Sequence, residues 1–241
     1  MTGMLASITS VAEAKIVLDA DVDIIDIKNP HEGALGAQEI NVVKDIVRFV
    51  NGKVLASATI GDVDSSDPDL LRYIINMADS GVDYVKVGLF SEKASDYFIN
   101  TINEATNKGV KLVIVFFAEN YYGTESIQSL MQTNISGIML DTKEKQSKNL
   151  CSLLNKNELD EFISTAKVNS FITGLAGSLT HENIAELLEL KPGYLGFRGA
   201  LCSQSNRINK INEKQVNKIR KAIPSTLNNV FEEKQYKEAI I

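Results

Sequence analysis

Asp23-Ile-Ile-Asp-Ile-Lys28 is a short run in which isoleucines alternate with the charged residues Asp26 and Lys28. Seven further short apolar runs resemble it in length, and neighbouring runs lie about 18 to 33 residues apart, the length of one strand-and-helix unit. Most are apolar on both faces, as are strands of a parallel sheet covered by helices. The candidate strands are Met4–Ile8, Asp23–Lys28, Val54–Ile60, Tyr84–Leu89, Leu112–Ala118, Gly137–Asp141, Phe171–Ala176 and Tyr194–Arg198.

Amphipathic segments lie between the candidate strands, and a glycine follows several of them. The clearest segments are Ser65–Ser80, Glu92–Lys108 and Leu179–Glu189, and the glycines are Gly81, Gly109 and Gly193. Glycine at such a position supplies the left-handed residue that ends many helices. Eight such units in 241 residues predict an α/β fold, a single-domain (βα)8 TIM barrel. The alternative, an open doubly wound sheet, normally has a Gly-rich loop after its first strand, and residues 9–13 contain no glycine.

The domain organisation follows from length and composition. A chain of 241 residues suits one domain, and no Pro-, Gly- or Ser-rich linker divides it. We therefore expect residues 1–222 to form a TIM-barrel catalytic domain. Residues 223–241 are polar and rich in Asn, Lys and Glu, which predicts a C-terminal surface helix or tail.

Composition and charge argue against several classes of protein. The net charge of −6 disfavours nucleic acid as a partner. The chain has no run of about 18 uninterrupted apolar residues and no signal-peptide pattern, so we expect no membrane association and a cytoplasmic location. Two cysteines and two histidines make neither a disulfide framework nor a good zinc set, so no metal is expected. The oligomeric state stays open, a homo-oligomer included.

Charged residues lie at the ends of the even-numbered candidate strands. They are Asp26, Lys28, Lys86, Asp141 and Arg198. Their strand neighbours are mostly apolar, and alternate residues of a strand point to opposite faces, so the charged residues are expected to point into the barrel. Chemistry in this fold occurs at the carboxyl ends of the strands. The pattern therefore predicts two lysines, two aspartates and an arginine at one mouth.

Two interpretations of this cluster are open. Lys86 lies between two valines, and burying it without a partner costs several kcal/mol, so a structural ion-pair network of Asp26, Lys28, Lys86 and Asp141 is one account. The other is amine chemistry. Free lysine has a pKa of about 10.4, but desolvation or a second ammonium lowers it. One lysine would then form a Schiff base while the other transfers protons, with no metal or other cofactor.

The segments that end strands seven and eight suit phosphate. Leu175–Leu179 and Gly196–Ala200 both carry glycines that let the backbone approach an anion closely. Barrels commonly bind phosphate in these loops through backbone N–H groups. Ser178 could also cap the following helix, and Arg198 would supply charge.

The segment Asp23–Ala37, DIIDIKNPHEGALGA, resembles the (5-formylfuran-3-yl)methyl phosphate synthase family of methanofuran biosynthesis, also called 4-(hydroxymethyl)-2-furancarboxaldehyde-phosphate synthase. Further blocks of the resemblance follow in order over residues 5–222: Ser57–Asp62, Asp83–Leu89, Met139–Thr142, Leu175–Leu179 and Gly196–Ser203. The resemblance implies a metal-independent TIM-barrel lyase of the carbon-oxygen type acting on phosphates. It implies that two molecules of glyceraldehyde 3-phosphate condense into the phosphorylated furan aldehyde, with loss of phosphate and water, in C1 metabolism.

The resemblance also implies roles for particular residues. The Schiff-base lysine falls on Lys28, the second catalytic lysine on Lys86, and the aspartate of the Leu-Asp-Thr block on Asp141. A further loop lysine falls on Lys145, with Lys143 as the alternative. Asp26 would orient its neighbours. The predicted phosphate ligands are Gly177, Ser178, Arg198, Gly199, Ala200 and Arg207.

The chain departs from the family pattern at two places. Val113–Tyr122 carries large residues where small ones are usual, and Ser203–Arg207 replaces a Gly-rich stretch. These departures affect the lining of the pocket and one phosphate contact, and they leave both lysines in place. The alternatives are another class I aldolase acting on a sugar phosphate, or a non-catalytic barrel that binds a phosphorylated metabolite or a partner protein.

Overall fold

The computed structural model describes residues 1–121, 123–144 and 148–223. Its strands are all parallel and close into a barrel in chain order, which confirms the predicted (βα)8 fold. They are β1 (Gly3–Ile8), β2 (Ile24–Ile27), β3 (Leu55–Thr59), β4 (Tyr84–Leu89), β5 (Leu112–Phe117), β6 (Gly137–Asp141), β7 (Ile172–Leu175) and β8 (Tyr194–Phe197). The predicted C-terminal helix or tail lies, beyond Ile223, outside the described residues.

Helices surround this barrel. They are α1 (Val11–Asp19), α2 (Ile40–Val50), α3 (Leu70–Ala78), α4 (Asp96–Asn107), α5 (Thr124–Gln128), α6 (Leu150–Leu153), α7 (Lys156–Val168), α8 (Ile184–Glu189) and α9 (Glu213–Ala222). Side chains fix several of their starts: Ser10 caps α1, and Asn155 forms a capping box with Glu158 at α7. Within the described part of the chain, no helix is both long and apolar enough to cross a membrane.

The strands separate two apolar layers. Outward residues such as Met4, Ile25 and Val87 pack against the helices. Inward residues, among them Leu5, Ile24, Val113, Met139 and Tyr194, fill the lower barrel. Inward positions alternate with outward ones along every strand, so the polar residues of β2, β4 and β6 also point inward. They lie closer to the carboxyl ends of the strands than the apolar inward layer does.

Two of the three predicted glycine caps have the expected conformation. Gly81 and Gly109 have φ of +89° and +85°. The prediction for Gly193 was wrong, because the chain already turns at Lys191, whose φ is +54°. Gly193 is needed for close approach to β7 instead, since a Cβ there would lie 2.8 Å from the carbonyl oxygen of Thr173.

Candidate active site

Two lysines and two aspartates come together at the carboxyl end of the barrel. Asp26, Lys86 and Asp141 lie on β2, β4 and β6, and Lys28 directly follows the end of β2. The backbone N–H of Lys28 donates to the carbonyl oxygen of Ile8 at 3.1 Å, which continues the strand pairing by one step. All four charged residues are buried and line one cavity of about 1000 Å³.

Asp26 is the centre of a buried hydrogen-bond network. Its Oδ1 accepts from Nζ of Lys86 and Oγ of Ser57, each at 2.8 Å, and its Oδ2 accepts from Oγ of Ser7 at 2.9 Å. Burial alone would raise the pKa of Asp26, but the charges of Lys86 and Lys28 and these hydrogen bonds hold it below the usual value. The carboxylate is therefore ionised at neutral pH.

Lys86 is the more deeply buried lysine, with 3% of its surface exposed against 8% for Lys28. Burial lowers the pKa of Lys86, the charge of Asp26 opposes that effect, and the charge of Lys28 adds to it. Its Nζ also lies 5.8 Å from the ring centre of Tyr194, within the range of a cation–π contact. The net lowering of the pKa makes Lys86 a better proton donor than a lysine in water.

Lys28 lies one layer above this network and faces the cavity. Its Nζ is 4.0 Å from Oδ2 of Asp141. Oδ1 of Asp141 accepts the backbone N–H of Thr142 at 2.7 Å, which fixes the carboxylate at the end of β6. The structure thus holds an acidic partner within reach of the more accessible amine.

The loop after β7 approaches β6 closely. Gly177 has φ of +107°, and a Cβ there would lie 2.7 Å from Cγ2 of Thr142. Ser178 is also left-handed, with φ of +51°, and it lines the cavity with Gly177. The expectation that Ser178 caps the next helix was wrong. Residues His181–Asn183 form a 3₁₀ turn before α8, and Thr180 takes the N-cap position of that turn because its backbone is extended, unlike that of Ser178. The N–H of Thr180 donates to Oδ1 of Asn183 at 2.9 Å.

The loop after β8 places Gly199 and Ala200 on the cavity wall. Residues Gly199–Leu201 form a single 3₁₀ turn, and a Cβ at residue 199 would lie 3.2 Å from the carbonyl oxygen of Ser205. The glycine therefore allows this turn to pack against the following segment.

Arg198 is held by the protein itself. Its guanidinium donates to Glu13 at 2.6 and 3.3 Å and to the carbonyl oxygens of Ser7, Arg207 and Asn209 at 3.2, 2.9 and 3.0 Å. All three of its nitrogens thus have protein acceptors, and Arg198 also lines the cavity, where its contact with phosphate stays a prediction. Its main partner is Glu13, which the first turn of α1 brings to the end of β8 and which is buried with Arg198.

The guanidinium of Arg207 donates fewer hydrogen bonds to the protein than that of Arg198. Nη2 donates to the carbonyl oxygen of Gly33 at 3.1 Å, and the half-buried side chain lines the cavity. Lys145 lies outside the described residues. Lys143 lines the cavity, and its backbone N–H donates to Oε2 of Glu119 at 2.9 Å.

The sequence analysis missed the residues that support the cluster. Ser7 and Ser57 flank Asp26 in the strand register, one on β1 and the other on β3. Their small polar side chains within apolar strands are a signal that could have been noticed. Tyr194, under Lys86, gives no such signal, because an aromatic residue that begins a strand is ordinary.

The fold and the site define a (βα)8-barrel enzyme with paired lysines and aspartates at the mouth of its barrel. The family model described as 4-HFC-P synthase matches residues 4–220. The chain belongs to the 4-HFC-P synthase family.

Two relatives agree with this assignment, and a solved structure agrees with the fold. A (5-formylfuran-3-yl)methyl phosphate synthase of Methanosarcina barkeri is 31% identical over 90% of this chain and 97% of its own. That of Methanocaldococcus jannaschii is 33% identical over 86% of this chain and 92% of its own. Phosphoribosyl anthranilate isomerase from Thermotoga maritima, 11% identical, has a TM-score of 0.66 over 92% of this chain and 98% of its own, a likeness of fold alone.

Proposed function

We propose that this chain is a (5-formylfuran-3-yl)methyl phosphate synthase of methanofuran biosynthesis. It condenses two molecules of glyceraldehyde 3-phosphate through a lysine Schiff base and acts as a carbon-oxygen lyase without a metal, in the cytoplasm. The observation that carries the proposal is the pairing of two different lysines at one mouth, Lys28 facing the cavity and Lys86 buried against Asp26. The names of the relatives support the reaction.

Lys28 is the residue suited to form the imine. Its amine is the more exposed of the two and lies 4.0 Å from a carboxylate of Asp141. Attack on the carbonyl of the first triose phosphate forms a C–N bond and releases water. The protonated imine then acts as an electron sink, which allows carbon–carbon bond formation and loss of phosphate.

Lys86 and the aspartates are suited to the proton transfers. Lys86 has a pKa lowered chiefly by burial, so it gives up a proton more readily than a lysine in water. Asp26 keeps its charge and holds the amine of Lys86 at 2.8 Å. Asp141, whose Oδ2 lies 4.0 Å from Nζ of Lys28, would accept and return the proton at the carbon next to the imine carbon.

The phosphate groups are assigned to the remaining wall of the cavity. Gly177, Ser178, Gly199 and Ala200 line one side, and the arginines Arg198 and Arg207 line the cavity with them. A cavity of about 1000 Å³ is at the upper end of the usual range for small-molecule sites, and two triose phosphates have to fit in it together.

The direct test is incubation of the enzyme with glyceraldehyde 3-phosphate. We expect a furan-aldehyde chromophore and released inorganic phosphate. If neither forms, but another sugar phosphate is cleaved and trapped on Lys28 by borohydride, the chain is a class I aldolase of a different substrate. If no sugar phosphate is trapped, a non-catalytic barrel is the remaining account.

A further inference from the structure

The loop that follows Lys28, residues 29–37, is hydrogen-bonded within its own backbone and to β3. The N–H of Asn29 donates to the carbonyl oxygen of Gly36 at 2.9 Å, and Oγ1 of Thr59 donates to the same oxygen at 3.1 Å. Position 36 needs glycine because a Cβ there would collide with the carbonyl oxygen of Asn29. The loop is therefore a closed turn that is hydrogen-bonded to β3.

Asp62, beyond the end of β3, is the strongest attachment of this loop. Its Oδ2 accepts the backbone N–H of Ala34 at 2.9 Å, and its Oδ1 accepts that of Leu35 at 2.7 Å. A carboxylate that takes two successive amides forms charge-assisted hydrogen bonds, which are stronger than neutral ones. Gly33 has φ of +90°, and a Cβ there would collide with the same carboxylate.

The other side of the loop forms part of the cavity wall. Gly33 and Leu35 both line the cavity. Leu35 is buried against β4, where a Cβ on Gly88, two residues beyond Lys86, would lie 2.9 Å from its Cδ1. The carbonyl oxygen of Gly33 accepts from Arg207 at 3.1 Å. The loop thus joins the segment that carries one lysine to the strand that carries the other, and to the cavity arginine.

We infer that Asp62 is a positioning residue of the active site. Asp62 acts through residues 33–35 on the cavity wall beside Lys28 and on Arg207. The inference rests on the proposed function, because it takes this cavity to be the active site. Three residues of the block Ser57–Asp62 have related contacts in this geometry. Ser57 donates to Asp26 and Thr59 donates to the carbonyl oxygen of Gly36, while Asp62 accepts the N–H groups of the two residues before Gly36. The segment formed by β3 and the residues after it thus holds both β2 and the loop that follows β2.

The test compares Asp62→Asn with the matched control Asp64→Asn. Among the residues that the structure describes, the carboxylate of Asp64 bonds within its own turn, to the N–H and Oγ of Ser66, so its loss leaves the loop untouched. In Asp62→Asn the amide nitrogen faces a backbone N–H, so one hydrogen bond becomes a repulsion. We expect hydrogen exchange in residues 33–36, measured by mass spectrometry, to be about tenfold faster in Asp62→Asn and unchanged in Asp64→Asn.

Steady-state kinetics on glyceraldehyde 3-phosphate supply the second measurement. We expect KM to rise about tenfold in Asp62→Asn with kcat changed less than about threefold, because a loosened wall weakens binding and leaves both lysines in place. A purely structural role would reduce the amount of active protein and leave KM unaltered. Unchanged exchange in residues 33–36, or faster exchange with an unaltered KM, would overturn the inference.

These outcomes are separable from failure of the proposed function. If wild type neither turns over glyceraldehyde 3-phosphate nor traps it, the proposed reaction is wrong, while the exchange measurement still decides whether Asp62 holds the loop. If wild type is active and the two asparagine variants behave alike in both measurements, the proposed reaction stands and the role of Asp62 is refuted.

Discussion

Nζ of Lys86 lies 2.8 Å from Oδ1 of Asp26, and neither residue exposes more than 3% of its surface. Ser7 and Ser57 donate to the same carboxylate. A buried ion pair of this kind is weak evidence for stability, because desolvation offsets most of the attraction. The lowered pKa of its lysine and its place under a second lysine fit the proton-transfer role proposed above for the pair.

Asp26→Asn should change how stability depends on pH. The pKa of Asp26 is lowered in the folded state, so its ionisation contributes stability above its unfolded pKa of about 3.9, and this contribution is lost as pH falls through the folded pKa. The variant lacks this contribution, so its free energy of unfolding should fall less steeply below about pH 4. Urea denaturation from pH 3 to 7 measures both slopes. Identical slopes would mean that Asp26 has an ordinary pKa.

Lys86→Arg should separate imine formation from proton transfer. The guanidinium keeps a cation beside Asp26 but cannot release a proton near neutral pH. We expect kcat to fall about 10²-fold or more while borohydride still traps substrate on Lys28. Lys93→Arg is the matched control, because that lysine is exposed and pairs with Glu125 at the surface. Loss of trapping together with turnover would assign the imine to Lys86.

Arg198→Ala should chiefly destabilise the protein. It leaves Glu13 buried without its cation, and removing one partner of a buried pair costs about 3–5 kcal/mol. Chemical denaturation measures this loss directly. The opposite result, unaltered stability with a raised KM for triose phosphate, would instead support the phosphate-binding role predicted from the sequence.

Glu119→Gln should disturb the loop that follows Asp141. The carboxylate of Glu119 accepts the backbone N–H groups of Lys143 and Glu144, each at 2.9 Å, and an amide can accept only one of them well. We expect kcat/KM to fall about tenfold, since one charge-assisted hydrogen bond is lost. Glu125→Gln on the nearby helix α5 is the control. Equal activity in the two variants would show that the Glu119 contact has no effect on the site.

Much of the site could be predicted from strand alternation. Asp26, Lys86 and Asp141 are polar residues in otherwise apolar strands of even number, so a closed barrel had to bring them to one mouth. The pairing of Arg198 with Glu13 could not be predicted, because these residues are 185 positions apart and Glu13 reads as an ordinary first-turn acid of a helix. The contacts of Asp62 and Glu119 could not be predicted either, because their partners are backbone N–H groups, which a pattern of side chains does not reveal.

Local turn chemistry was the other source of error. Ser178 and Thr180 are both acceptable caps by residue type, and only the backbone conformation distinguishes them. The same holds for Lys191, which takes a left-handed conformation that composition assigns to the glycine two positions on. Long-range geometry decides such cases, since the loop has to meet the next strand at the correct angle.

The most direct test of the account is reduction with borohydride in the presence of glyceraldehyde 3-phosphate, followed by mass analysis of the peptides. The account predicts added mass on the peptide that contains Lys28, and it predicts that Lys28→Arg abolishes the adduct and the activity together, because a guanidinium does not form the imine. Label on Lys86 that persists in Lys28→Arg would reverse the two roles. An unlabelled protein with both lysine variants fully active would contradict the account and leave a structural ion-pair network.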